Sequence, residues 1–372
     1  MSKLFDTSIE SLITDLRKQR VGKRIFAFEQ LLERRIARDG GTPIIEGDKA
    51  YFFFRSSDDE KISVTGDWNK WQPRVDMLSR INPKSDFYFL KKEFPIDARL
   101  SYRFQLENSG SMNDPLNPNA LQEVFGKNTF LRMPGYVNPE YLTSSNKANP
   151  KGKWITVLLP GTDTIASREA RMYIPKGLNF RKDKRLLFIL DGGEAITIGN
   201  FDRVMDNLYA AQPLLPKVTA IFIPPVDRHV EYAMNPYFAD WLAKDVLKSV
   251  EKRLKIKTKA EHRAIQGASL GGLCAAYTGF LHSNTFGKII VQSGSFWIAN
   301  QEMVKLFEKS KNLGLEFFLH SGTIHDALEG TRAMLIALQQ KGYPVTYRQS
   351  SESHNWANWC GKYAEILQWC VA

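Results

Sequence analysis

The sequence predicts a mixed α/β chain in which a small β-sandwich precedes a larger, mostly parallel sheet covered by helices. Three observations carry this. Residues 136–372 alternate short continuous apolar runs with helical stretches. Residues 44–135 hold several short strands separated by Asn, Pro, Asp and Gly turn signals. Residues 8–38 place apolar side chains at helical spacing. The expected domains are a helical segment over 1–43, the sandwich over 44–135 and the α/β domain over 136–372.

Composition narrows the class. A hydrophobic share of 43% with 24% charged residues is that of a globular chain, and no apolar run is long enough to span a bilayer. The start, Met1-Ser2-Lys3-Leu4-Phe5-Asp6, lacks an apolar signal core, so a secretory signal is not expected. Three cysteines, Cys274, Cys360 and Cys370, are too few for a disulfide framework and fit a reducing cytoplasm. The net charge of +11 suits an acidic partner, but no nucleic-acid motif accompanies it and the excess is spread along the chain.

In the first segment, Ile9, Leu12, Ile13 and Leu16 recur on one helical face, as do Phe28, Leu31, Leu32 and Ile36. Gly22 is a break between two helices, and Asp39-Gly40-Gly41 ends the run. Arg17, Lys18, Arg20, Lys23, Arg24, Arg34, Arg35 and Arg38 make the segment basic. It reads as helices packed on their own protein with these charges in water; a membrane-surface helix is the other reading.

In the second segment, strands are expected at 50–55, 61–65, 87–90 and 100–106. Gly66-Asp67-Trp68-Asn69-Lys70-Trp71, Met77 and Tyr102-Arg103-Phe104, followed by Asp114-Pro115 and Asn117-Pro118, resemble the early-set immunoglobulin-like domains in front of carbohydrate-active enzymes and some esterases. In that family exposed tryptophans stack on sugar rings. Trp68 and Trp71 either do so here or, as expected for turn-flanking tryptophans, fill the core.

In the third segment, apolar strands are expected at 154–158, 170–174, 186–190, 218–223, 264–266, 288–292, 315–319 and 345–348. Such strands separated by helices imply a sheet buried on both faces, with reactive groups beyond the C-terminal strand ends. One stretch carries chemistry: Gly267-Ala268-Ser269-Leu270-Gly271 has the G-x-S-x-G spacing of a nucleophile elbow. A strand candidate precedes it and the small, apolar Leu273-Cys274-Ala275-Ala276 follows it, as an elbow between strand and helix requires. A serine hydroxyl needs a base, and the base needs an orienting acid.

In α/β-hydrolases these follow the serine in the order acid, then histidine. Of His282, His320, His325 and His354, only His354 follows the last strand and precedes the final helix, so it is the expected base. The acid belongs after the strand at 315–319, where Asp326 is the leading candidate and Glu329 and Glu352 are alternatives. Asp326 could equally cap a helix running from Ala327 to Gln340. The backbone N–H groups of Leu270 and of Gly192, in the loop Asp191-Gly192-Gly193, are the expected oxyanion donors.

Arg171-Met172-Tyr173-Ile174-Pro175, Leu190-Asp191-Gly192, Asp227-Arg228 with Glu231-Tyr232, the elbow, Gln292-Ser293-Gly294-Ser295-Phe296-Trp297 and His354-Asn355-Trp356 together resemble the enterochelin-esterase group of esterases, which is related to feruloyl and acetyl-xylan esterases and to S-formylglutathione hydrolase. The resemblance runs from about residue 45 to the end. It implies a serine carboxyl-ester hydrolase of α/β-hydrolase fold, needing no cofactor or metal, with Arg228, Trp297 and Trp356 at the substrate. Arg228 either binds a substrate carboxylate or catechol or pairs with Glu231. The implied substrate is a small-molecule ester, a ferric catecholate siderophore or an acylated glycan; a non-catalytic glycan-binding or partner-binding protein is the alternative of another class. Two departures stand out: His325 occupies a position where the group carries an acidic residue, and Glu352-Ser353 replaces a Gly-Gly before the histidine.

Overall fold

The computed structural model describes residues 7–123, 126–143 and 148–372. The chain divides into two compact units, Met1–Val137 with Ser351–Ser353, and Asn138–Ser350 with His354–Ala372.

The first unit contains two antiparallel sheets. One orders Ile44–Glu46, Lys49–Arg55, Phe87–Glu93 and Ser79–Arg80; the other runs Asp76–Met77, Ile62–Gly66, Arg99–Leu106, Gly126–Arg132 and Ala120–Glu123, with Gly110–Met112 also paired to Arg99–Leu106. The run Tyr51-Phe52-Phe53-Phe54 lacks the usual alternation because both faces of its strand are covered. Tyr51 and Phe53 pack with Ile9, Leu12, Leu16, Ile25, Leu32 and Ile36 of helices Ile9–Lys18 and Gly22–Arg38. Phe52 and Phe54 meet Tyr102 and Phe104 of the other sheet at 5.0 Å between ring centroids.

Trp68 belongs to that inter-sheet core. Its ring lies 4.9 Å from Phe94 and 5.5 Å from Phe52, and its Nε1 donates to Asp76 Oδ2 at 2.7 Å. Trp71 is half-buried and donates to Asp67 Oδ1 at 3.2 Å. Trp68 is therefore a core residue and not a platform for sugar rings.

The second unit is built on an eight-stranded sheet, whose strands are numbered β1 (Lys153–Leu159), β2 (Arg168–Ile174), β3 (Arg185–Leu190), β4 (Val218–Ile223), β5 (Arg263–Ala268), β6 (Lys288–Gln292), β7 (Glu316–Gly322) and β8 (Val345–Ser350). Their order is β1-β2-β4-β3-β5-β6-β7-β8. Strands β3 to β8 are parallel; β1 and β2 are antiparallel additions at one edge. Alternate residues feed two cores. Leu186, Phe188, Ile221, Ile265, Ile289 and Phe317 face one, and Leu187, Ile189, Phe222, Ala264, Ile290 and Phe318 face the other. Burial on both faces is why these strands read as continuous apolar runs. Cys274, Cys360 and Cys370 are buried, and none forms a disulfide among the described residues. Among the described residues no helix is long and apolar enough to cross a membrane.

One buried group sets a pH dependence of stability. His320, in β7, is fully buried; its Nε2 lies 3.1 Å from Ser350 Oγ, and its Nδ1 has no hydrogen-bond partner among the described residues. Burial pushes its pKa down from 6.5 to about 3. The unfolded chain therefore binds a proton below pH ~6.5 that the folded chain refuses down to pH ~3, so stability is complete above that window and falls as pH drops through it. His320 alone is expected to remove up to about 2 kcal/mol between pH 7 and pH 5. Thermal unfolding of wild type and His320→Gln at both pH values checks this: the variant's pH difference should be smaller by about that amount.

Candidate active site

The site is assembled at the C-terminal ends of β3, β5, β6, β7 and β8, where a parallel sheet presents its connecting loops. Ser269 sits between β5 and helix α1 (Leu270–Leu281) with φ 57° and ψ −122°. Few non-glycine residues adopt that backbone, so the turn is strained and held by its surroundings. Ser269 N–H donates to the Gln292 carbonyl at 2.9 Å, and its own carbonyl accepts from Ser295 N–H at 3.0 Å. A Cβ at position 267 would lie 2.1 Å from the Gly271 carbonyl oxygen, so only glycine fits two residues before the serine. The strand, the turn and the helix are those that the motif requires.

Two side chains meet this serine in series. His354 Nε2 is 2.9 Å from Ser269 Oγ, and His354 Nδ1 is 2.7 Å from Asp326 Oδ1. His354 follows β8 in the loop before helix Trp356–Cys360. Asp326 follows β7 and has no exposed side-chain surface. Ser269, His354 and Asp326 are thus brought together, and it is Asp326, not Glu329 or Glu352, whose carboxylate sits at His354 Nδ1. Glu329 lies in the first turn of helix Leu328–Gln340, and Glu352 is a buried residue two positions before His354. Asp326 does not cap that helix: the cap residue is Ala327, so the helix starts one residue later than the sequence suggested.

Asp326 is held as an anion by donors on both oxygens. Oδ1 accepts from Ala327 N–H at 2.6 Å as well as from His354. Oδ2 accepts from Gly322 N–H at 2.5 Å and from Ser293 Oγ at 2.6 Å. Burial alone would raise this carboxyl; the hydrogen bond and charge of His354, with the bonds from Ser293 and Ala327, hold it below the ordinary carboxylate value instead. Ser293 in turn accepts from Trp359 Nε1 at 2.9 Å, and the Trp359 ring packs edge-on against the His354 imidazole at 5.1 Å.

Ser293 and Ser295 lie in the stretch Gln292–Trp297 that resembles the esterase group, but the sequence assigns neither a role, and Trp359 carries no signal of its own. Ser295 Oγ lies 3.4 Å from Ser269 Oγ. The signal that points to both serines is their place directly after a parallel strand adjacent to the elbow strand.

A cleft of ≈ 590 Å³ opens beside His354 and Asp326, lined also by Trp297, Gln301, His325 and Glu329. Trp297 is 54% exposed with its ring 6.4 Å from the His354 ring, a position in which it can face a ligand. Trp356 is not so placed. It is buried among Trp359, Tyr363 and Ile366, because the helix it opens turns this ring into the core.

Arg228 also differs from one of its expected roles. Glu231 is taken by Arg168 through a buried two-point ion pair at 2.5 and 2.7 Å, whereas Arg228 pairs with Asp191. Leu270 opens α1, and Gly192 opens the short helix after β3; the first N–H groups of a helix have no partner within it. Gly192 is packed so closely on β4 that a Cβ would lie 2.5 Å from the Ile223 nitrogen, whereas at Gly193 it would meet nothing.

Comparison with known proteins agrees with this architecture. The esterase family described as "Putative esterase" matches residues 164–369, more than half of the chain. Iron(III) enterobactin esterase of Escherichia coli K12 is 25% identical over 232 residues, 55% of this chain and 58% of that protein. The Dickeya dadantii protein of the same name is 29% identical over 102 residues, 27% of this chain and 23% of that protein. The matched stretches thus span less than two thirds of these relatives' own length. Among solved structures, the ferric enterobactin esterase of Salmonella typhimurium has a TM-score of 0.73 at 19% identity, covering 89% of this chain and 96% of that one. The Shigella flexneri enterobactin esterase solved in the presence of enterobactin has a TM-score of 0.73 at 19% identity, covering 91% and 97%. These likenesses establish the fold: an α/β-hydrolase domain with a β domain before it.

Proposed function

Because the chain belongs to the esterase family that matches residues 164–369, we propose that it is a serine carboxyl-ester hydrolase working through Ser269, His354 and Asp326. The observation that carries this is the series Asp326 Oδ1, His354 Nδ1, His354 Nε2, Ser269 Oγ at 2.7 and 2.9 Å, ending on a strained elbow.

His354 Nε2 takes the Oγ proton as Oγ attacks the ester carbonyl carbon. The carbonyl oxygen becomes an oxyanion facing the N–H groups of Leu270 and Gly192. The tetrahedral species collapses, His354 gives the proton to the leaving alkoxide, and an acyl group remains on Ser269. Water then attacks that acyl group with His354 as base, and release of the carboxylic acid restores the serine. Asp326 keeps the Nδ1–H tautomer in place and stabilises the imidazolium that forms twice per cycle. The chemistry needs no cofactor.

The substrate class that fits best is the ester linkage of a catecholate siderophore. The relatives carry the name iron(III) enterobactin esterase, Trp297 offers an exposed aromatic face beside His354, and the +11 charge suits an anionic ligand. The packing of the half-buried Trp68 ring against Phe52 and Phe94, with its Nε1 bonded to Asp76, weakens the support for a glycan ester. Hydrolysis of p-nitrophenyl acetate, methyl ferulate and ferric enterobactin, measured side by side, tests the reading. Ferric enterobactin is expected to have the highest kcat/KM. Preference for methyl ferulate would replace the substrate class, and hydrolysis of none of the three would overturn the esterase mechanism.

A further inference from the structure

We propose that Arg228 is a positioning residue: its guanidinium ties together the two backbone segments that supply the oxyanion donors. The inference rests on the serine-hydrolase reading above and adds to it a residue whose role there was open.

Asp191 follows β3 and directly precedes Gly192. It adopts the left-handed conformation, φ 53° and ψ 43°, although glycine would do so at lower cost and two glycines stand next to it. A strained aspartate in such a place points to a use for its side chain. The side chain is almost fully buried. Its Oδ1 accepts from Arg228 Nε at 2.7 Å and its Oδ2 from Arg228 Nη2 at 2.8 Å, a two-point pair that fixes the carboxylate plane. The Asp191 N–H donates to Tyr232 Oη at 3.0 Å, so the helix Arg228–Tyr232 braces both the backbone and the side chain of this residue.

The same guanidinium reaches the elbow. Arg228 Nη2 lies 3.4 Å from the carbonyl oxygen of Ala268, the residue before Ser269. The Asp191 carboxylate also sits against the first turn of α1, where a Cβ at Gly271 would lie 3.0 Å from Oδ2. One charged group thus contacts Asp191, one residue from Gly192, and Ala268, two residues from Leu270. Donors for an oxyanion act through their preset spacing, and a displacement of about 1 Å costs about 100-fold in rate. An ion pair whose arginine is 34% exposed adds little net stability, because solvent screens the attraction and burying the carboxylate offsets it. Geometry is the more direct reason for this one.

Positioning the hole and binding the substrate give different kinetics. If Arg228 sets the donors, its loss lowers kcat on every ester and leaves KM nearly unchanged, since the oxyanion exists only in the transition state. If it binds a substrate anion, its loss raises KM for an anionic ester and spares a neutral one. The test measures kcat and KM of Arg228→Gln, Arg228→Lys and Asp191→Asn on p-nitrophenyl acetate and on ferric enterobactin, with thermal unfolding of each variant. Inhibition by a trifluoromethyl ketone, whose adduct carries an oxyanion, is measured in parallel.

The expected result is a kcat lowered about 10- to 100-fold on both esters by Arg228→Gln, with a matching loss of trifluoromethyl ketone affinity. Arg228→Lys should recover part of it, since an ammonium keeps the charge but not the two-point geometry. An unchanged kcat, or a KM effect confined to ferric enterobactin, overturns the proposal while the serine mechanism stands. If Arg228→Gln does not fold, Arg228→Lys decides by the same kcat-against-KM criterion. A wild-type protein inert towards both esters overturns the mechanism itself, and this inference with it.

Discussion

Alanine in place of Ser269 is expected to lower kcat for ester hydrolysis by about a million-fold, with the fold intact. The size follows from the mechanism: without Oγ there is no acyl-enzyme, and His354 has no proton to take. The residue left behind still has its backbone donors, so catalysis about 1,000-fold above the uncatalysed reaction would persist. Stability changes little. Ser269 Oγ contributes only the contact to His354 and a long one to Ser295 at 3.4 Å, together worth about 1 kcal/mol. The strained backbone is shared by serine and alanine and does not separate them. Steady-state kinetics with a chromogenic ester, alongside thermal unfolding, separates loss of chemistry from loss of fold.

Asparagine at position 326 should cost about 10,000-fold in kcat and, unlike Ser269→Ala, should also destabilise the protein. Both effects come from the donors around this carboxylate. Oδ1 faces Ala327 N–H and His354 Nδ1, and Oδ2 faces Gly322 N–H and Ser293 Oγ. An amide has one acceptor oxygen and one donor nitrogen, so either orientation turns an NH2 group towards an N–H that cannot rotate away. If the NH2 faces His354, the ring adopts the other tautomer and presents Nε2–H to Ser269, which disables the base. If it faces Gly322, a buried backbone N–H loses its acceptor, at a cost of about 1–3 kcal/mol. The kcat of Asp326→Asn at neutral pH and its unfolding temperature, compared with those of Ser269→Ala, check both parts. A variant with wild-type activity would remove Asp326 from the mechanism.

The parts of this fold set by neighbours in sequence were legible. The elbow was readable because its chemistry depends on local geometry: Gly267 and Gly271 are close to Ser269 in the chain and constrained by the same turn. The place of His354 beside Ser269 is legible from chain order, since a residue after the last strand of a parallel sheet lies at the end where the loops converge. The place of Asp326 at His354 Nδ1 is legible in the same way, and what sets it apart from Glu329 and Glu352 is a web of donors from Gly322, Ser293 and Ala327 that strand pairing brings together.

What escaped the sequence depends on distance along the chain or on which way a ring points. The partner of Arg228 is 37 positions away at Asp191, whereas Glu231, on the same short helix, is claimed by Arg168 of β2. Trp356 and Trp359 lie on one short helix, and only its docking decides that Trp359 touches His354 while Trp356 enters the core. Trp68 follows a strand in a turn rich in polar residues, a setting that suits both a sugar platform and a core ring; Phe52 and Phe94 beside it decide for the core.

The most direct test is to label the folded protein with a fluorophosphonate and map the adduct by mass spectrometry while ester hydrolysis is followed. One adduct per chain, on the peptide containing Ser269, with activity lost in proportion to labelling and no labelling of Ser269→Ala, is the predicted result. Full activity in completely labelled protein, or an adduct on any residue other than Ser269, would contradict the account.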